Sequence, residues 1–337
     1  MLLSQVSEFG LIDRIKQLTQ KHQPPNVIVG IDDDAAAIRI TDNKILLITT
    51  DTMIEGVHFD LSYFTCFQLG QKIMAINISD IAAMGGRPSY VLVALSVPST
   101  VSLKSVEELY RGIIKMGERY GVSIIGGDTT SSPQNIFISI TLVGYTNSEK
   151  LTLRSGAREG DVVCVTGFLG MSKAGLKVLR DKELIKQNKF ENLISKHLTP
   201  EPRLHEAQFL VQKGDIHSMI DVSDGLLADL NHICKLSNVG AEIFSETIPV
   251  EESTKTVAHH FDDCWLNYAI SGGEDFELLI TMPENDYNKI VHDFEKKLRL
   301  NLTNIGRIVK KDKGIKVLDN QGKVIPINSG GYDHFNN

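Results

Sequence analysis

Carboxylates stand in this chain where a packed interior tolerates them least: at the ends of apolar runs or on the apolar stripe of a helix, beside Gly, Ser or Thr. Asp32, Asp33 and Asp34 follow NVIVGI, Asp51 follows ILLITT, Asp80 closes INISD and Asp128 closes SIIGGD; Asp221 and Asp224 lie in MIDVSD, Glu274 and Asp275 in AISGGED. Two carboxylates about 4 Å apart repel by roughly 4 kcal/mol at an effective dielectric of 20. Convergence of these groups therefore calls for hard divalent cations, and the pattern is that of a chain built to hold several Mg²⁺ ions.

The 337 residues, 42% of them hydrophobic, supply apolar material for two domains of roughly 150 residues each. A net charge of −7, with no Lys/Arg cluster, argues against a nucleic-acid surface. The apolar runs fall well short of the ~20 residues that span a bilayer. The opening MLLSQVSEFGLIDRIKQL lacks the basic segment, apolar core and cleavage site of an export signal and reads as an amphipathic helix. These features predict a cytoplasmic protein with neither nucleic acid nor membrane as partner. Cys66, Cys164, Cys234 and Cys264 are far apart with no CxxC, which predicts buried free thiols.

Strand-like and helix-like periods alternate, giving an α/β or α+β class. Residues 26–31, 45–50, 90–97 and 136–145 read as strands, with helices over 66–84 and 103–119. The polar stretch TNSEKLTLRSGAREGD breaks the pattern, placing a border near residue 149 between domains 1–148 and 149–337. The second series contains the strand DVVCVTG, the turn Gly167–Gly170 leading into SKAGLKVL, a polar segment with HLTPEPRL, the strand MIDVS, the helix GLLADLNHICKL and the strand FELLITM.

Each acidic position has a bland reading beside the chemical one. Asp80 follows Leu69 by three helical turns and shares its stripe with Ile73 and Ile76, an expensive place unless the group is paired or metal-bound; it would also suit a helix end. Asn77 could offer a neutral oxygen or simply face solvent. Thr49 and Thr50 set oxygens beside Asp51, surroundings that suit Mg²⁺ over zinc, although a lone Thr-Asp is more often an Asx-turn. Ser223 and Asp224 read first as N-cap residues of the helix carrying Leu226, Leu230 and Ile233. That helix start also offers N–H groups to a phosphate, and with an Asp present joint use requires a bridging metal.

The chain has no GxxxxGK[ST], no GxGxxG after a strand, no HRD or DFG, and no zincin His pair, so the common nucleotide folds are unsupported. The ordered set GIDDDAAAI, TTDTMIEGVHF, NISDIAAMGGRP, IGGDTT, LTLRSGAREGD, HLTPEPR, IDVSDGL, SGGEDFEL and GYDHF nevertheless resembles the bacterial thiamine-monophosphate kinases over residues 8–335.

The resemblance implies a two-domain fold of the aminoimidazole ribonucleotide synthetase type. Its N-terminal domain would pair with a twin in a β-barrel dimer, and its C-terminal α/β domain would complete the site. It also implies ATP-dependent phosphorylation of thiamine monophosphate to thiamine diphosphate in a homodimer. Carried over residue by residue, the metal ligands would be Asp34, Thr49, Thr50, Asp51, Asp80, Asp128, Asp221 and Asp224, with Asp51, Asp80, Asp128 and Asp224 at the chemistry. ATP would meet Gly127, Asp128, Arg154 and Ser223; His58, Glu274 and Tyr332 would line the substrate pocket. The chain departs from the family at Asp32, where a Gly is usual; Asp tolerates a left-handed turn better than most residues, and Asp32 is expected to be structural and solvent-facing. Two other readings belong to other activities: a purine-pathway or selenophosphate synthetase, the latter disfavoured because the first Cys is Cys66, and a catalytically idle nucleotide-binding regulator.

Overall fold

The computed structural model describes residues 7–19 and 24–326; Tyr332 and the GYDHF motif lie outside them. Period-two alternation of buried and exposed residues builds a first six-stranded sheet. Helix α1 (Glu8–Thr19) precedes β1 (Val27–Val29), β2 (Ala36–Arg39), β3 (Lys44–Ile54), α2 (Cys66–Ala83), β4 (Arg87–Val97), α3 (Leu103–Tyr120), β5 (Ser123–Ser131) and β6 (Phe137–Asn147). The strand order is β1-β2-β3-β6-β4-β5, antiparallel except for the β4–β5 pair. Helix α2 starts on a capping box, Thr65 accepting from the Gln68 N–H while Gln68 returns a bond to the Thr65 N–H. It packs on α3 at glycines: a Cβ at Gly70 would lie 2.0 Å from the Leu109 carbonyl oxygen, and one at Gly112 would lie 2.0 Å from that of Phe67.

The second sheet draws on β7 (Val162–Thr166), α4 (Met171–Arg180), α5 (Glu191–Leu198), α6 (Leu204–Lys213), β8 (Ser218–Asp221), α7 (Leu226–Ser237), β9 (Val239–Phe244), α8 (Glu252–His260), α9 (Trp265–Ser271), β10 (Leu278–Met282), α10 (Glu284–Leu298), β11 (Leu302–Lys310) and β12 (Ile315–Leu318). Its order is β12-β9-β11-β7-β10-β8. The largest apolar cluster runs from Ile73, Ile78 and Ile81 of α2 into Cys164, Ala207, Leu210 and Met219 of the second half. Helix α2 is thus buried by both halves, which explains its apolar character all round.

The expected strands and helices of the first half are present, the 26–31 strand shortened to Val27–Val29. Strands β2 and β5 were not anticipated, because AAIR is short and SIIGGDTTS carries two glycines. Cys164 and Cys234 are buried free thiols as expected, whereas Cys66 is half-buried and Cys264 exposed. Among the described residues neither sheet closes into a barrel; the first is open, with β5 exposed at its edge.

Candidate active site

Two adjacent elements of the first half bring their acids to one place on the second. On β3, alternation turns Thr49 and Asp51 to the inner face, where Thr49 Oγ1 donates to Asp80 Oδ2. Thr50 turns the other way, its hydroxyl 3.3 Å from that of Thr141 and 3.4 Å from that of Ser139, so only its carbonyl remains for a ligand role. On α2, Ser79 Oγ donates to Asp221 Oδ2 at 2.5 Å, and buried Asn77 donates to the Ile73 carbonyl at 2.8 Å. Asp34, Asp80 and Asp221 each offer an oxygen, and the three lie within 4.8 Å of one another.

Electrostatics mark the same group. Burial pushes Asp51 up to about 6 and Asp221 up to about 8, and raises Asp34 and Asp80 above the usual carboxylate range; Asp34 adds its repulsion to the other three. The oxygens Asp34 Oδ2 and Asp51 Oδ2 are buried without a hydrogen-bond partner. All-oxygen donors, converging charge and orphaned carboxylate atoms fit a hard divalent cation.

Arg154 meets the cluster at Asp34. Its Nη2 lies 2.6 Å from Asp34 Oδ1, and its backbone N–H donates to Asp33 Oδ2 at 3.1 Å. Asp33, raised to about 7 by burial and then by Asp34, thereby fixes the chain that carries Arg154. Asp32 has φ +134° and pairs with Lys16 of α1, its side chain partly open to solvent.

The other positions named from sequence lie around this cluster. Asp128 is exposed on β5, outside the converging trio; beside it Gly127 has φ +156°, and a Cβ there would meet the Val93 carbonyl oxygen at 1.9 Å. Ser223 and Asp224 are not N-caps, a correction: Gly225 holds the cap position of α7. The loop is instead held from inside, because the N–H groups of Ser223, Asp224 and Gly225 donate to Asp229 Oδ2 at 3.1, 3.3 and 3.1 Å. This leaves the Ser223 and Asp224 side chains uncommitted to capping.

Glu274 adopts φ +64°. Its N–H donates to the Ser223 carbonyl at 2.7 Å, tying the two predicted binding segments together. Its carboxylate faces Lys72 at 2.9 Å and His197 Nδ1 at 3.3 Å. Burial alone would raise it, but Lys72, His197 and His58 hold it below the usual glutamate range. His58 sits just past β3, its Nδ1 accepting from the Ile54 N–H at 3.1 Å.

Sequence reading missed Lys72, His197 and Asp229. Lys72 was legible by the reasoning applied to Asp80, since it lies one turn after Leu69 on a helix that is otherwise apolar there. HLTPEPR and FEL meet as a buried network: Arg203 Nε and Nη2 bond Glu277 Oε2 and Oε1, each at 2.6 Å, and Lys196 joins them.

Residues 32–146 match the family model described as AIR synthase related protein, N-terminal domain, and residues 158–319 match that of the C-terminal domain. The chain is 38% identical over 331 residues to the thiamine-monophosphate kinase of Buchnera aphidicola subsp. Schizaphis graminum, covering 98% of this chain and 99% of the relative. It is 34% identical over 332 residues to that of Bacillus subtilis, covering 98% and 100%. A solved structure described as AaThiL complexed with AMPPCP and TMP superposes with a TM-score of 0.84 at 34% identity, covering 99% of each chain.

Proposed function

This chain belongs to the AIR synthase related family, with thiamine-monophosphate kinases as full-length relatives, and on that premise we propose how its cleft transfers a phosphoryl group from ATP to thiamine monophosphate. The chain is a thiamine-phosphate kinase; its products are thiamine diphosphate and ADP. The observation that carries the assignment of the site is the convergence of Asp34, Asp80 and Asp221 with the unpartnered oxygens of Asp34 and Asp51.

Both substrates are polyanions, so the barrier to bringing them together is chiefly electrostatic. Asp34, Asp51, Asp80 and Asp221 would hold Mg²⁺, with Asp128, Asp224 and oxygens of Thr49 and Thr50 completing its surroundings; bound there it neutralises and polarises phosphoryl oxygens. Thr49 and Ser79 orient Asp80 and Asp221 by donating to them. Gly127, Asp128, Ser223 and Arg154 hold the nucleotide, while His58 and Glu274 meet the thiamine substrate.

The acceptor is a phosphate oxygen already ionised near neutral pH, so no general base is needed and His58 serves binding. Transfer is direct and in line, without a phosphoenzyme; stable protein labelling from γ-³²P ATP would oppose it. The reading extends to a cytoplasmic homodimer joined through the first sheets, whose exposed Tyr90, Leu92 and Ile125 support such pairing.

The deciding assay is thiamine diphosphate formation from ATP, Mg²⁺ and thiamine monophosphate, followed by HPLC with thiamine and metal-free controls. Magnesium-dependent product from the monophosphate alone is expected. ATP binding without product from any thiamine phosphate would favour another family substrate or an idle binder.

A further inference from the structure

Lys72 lies on α2 with no solvent exposure of its side chain, and its Nζ stands 2.9 Å from Glu274 Oε1. Nζ has no hydrogen bond of good geometry, so the pair is held by charge. Around the ammonium are the Phe64 ring, 5.4 Å away, and beyond it the His197 ring, 5.8 Å from that of Phe64. A buried ammonium is costly unless a carboxylate answers it, and a site that needed only packing would be filled better by Leu or Met.

The carboxylate on the other side of the pair is unusual too. Glu274 keeps 35% of its side chain exposed and adopts φ +64°, a conformation that a glutamate holds only when its surroundings impose it. Its second oxygen lies 3.3 Å from His197 Nδ1, which is also 3.0 Å from Ser172 Oγ. Burial, and after it Lys72, pushes His197 down to about 3, so that ring is neutral at physiological pH. His58 faces the same carboxylate from the end of β3. The lysine is therefore the fixed charge that α2 directs at Glu274.

We propose that Lys72 is a positioning residue: it pins Glu274 so that the exposed part of the carboxylate stands at one place in the cleft, where it grips the amino-bearing ring of thiamine monophosphate. The inference rests on the assignment of Glu274 to that substrate. Without Lys72 the carboxylate swings away, and recognition weakens while the Asp34–Asp80–Asp221 cluster keeps its own contacts.

Steady-state kinetics of Lys72→Met, Glu274→Gln and the double variant, varying each substrate in turn, test this. Lys72→Met should raise KM for thiamine monophosphate about tenfold with kcat and KM for ATP within about twofold, and the double variant should be no worse than Glu274→Gln alone. Additive losses, or equal changes in both KM values and kcat, would make Lys72 merely structural. A Glu274→Gln enzyme with an unchanged KM for thiamine monophosphate would sink the assignment of Glu274 itself. A raised KM there with a normal Lys72→Met enzyme sinks only the role of Lys72. Should Lys72→Met fail to fold, Lys72→Gln, which keeps a polar stem, must show the same split.

Discussion

The hydroxyl of Ser79 donates to Asp221 Oδ2 at 2.5 Å, joining α2 of the first half to β8 of the second across 142 residues of sequence. Asp34 and Asp80 approach Asp221 only where that junction closes. The acidic cluster is therefore a product of docking between the halves, and the apolar packing of α2 against both supplies the free energy that confines like charges together.

Asp51→Asn removes one charge from this cluster and leaves β3 intact. The expected loss in kcat is about 10²- to 10³-fold, the scale of deleting one electrostatic stabiliser. The metal-free variant should melt no lower than wild type, because an amide neither repels Asp34 nor resists burial as a carboxylate does. A kcat near wild type at saturating Mg²⁺ would remove Asp51 from the machinery.

The cluster also sets a pH dependence. Burial, aided by neighbouring acids, holds Asp51 at about 6, Asp33 at about 7 and Asp221 at about 8, whereas an unfolded Asp titrates near 3.9. Between those values the folded chain binds more protons than the unfolded one, so stability falls as pH rises. In EDTA the protein should melt lower at about pH 8.5 than at about pH 6.5, and Mg²⁺ should reverse the order, because ligands must be ionised to bind metal. Above pH ~6.5 the buried neutral His197 contributes no opposing slope. Equal melting temperatures in EDTA at both values would mean that the acids are not confined together.

Asp229→Ala takes away the acceptor shared by three backbone N–H groups of the Ser223–Gly225 loop. Leaving one buried and two part-buried donors unanswered costs about 1–3 kcal/mol. We expect a lower melting temperature and a KM for ATP raised about tenfold, with KM for thiamine monophosphate affected less. An unchanged KM for ATP would detach this loop from the nucleotide.

At Asp32 the backbone adopts φ +134° for a residue with a side chain. Such strain costs about 1–3 kcal/mol, and its half-buried pair with Lys16 returns about 0–1 kcal/mol. Asp32→Gly should therefore stabilise the protein by about 1 kcal/mol in urea denaturation. Destabilisation would show that the link to α1 outweighs the strain.

The first half was legible where one period dominated: β3, β4, β6 and α3 each bury one face of a regular pattern, while α2 was legible from its long apolar run. Asp34, Asp80 and Asp221 were legible because a carboxylate at the end of an apolar run is expensive without a purpose. Lys72 could have been read as Asp80 was, from its place on an apolar helix, but its partner lies more than 100 residues away; His197 was not legible, since what marks it is a partner 77 residues away. Asp229 hid behind a plausible capping sequence: Ser223 and Asp224 have the right composition, and only the backbone shows that their N–H groups are held from the first turn of α7.

One helix carries both Lys72 and Asp80, and on the assignment proposed above the first serves the thiamine ring and the second the phosphates. From the one to the other an α-helix rises about 12 Å, and a rod packed on both sides does not stretch. The gap is cut to length when the protein folds, before any acceptor arrives. α2 is thus a ruler, and a molecule with the right ring and the right phosphate at another spacing can touch only one of its marks.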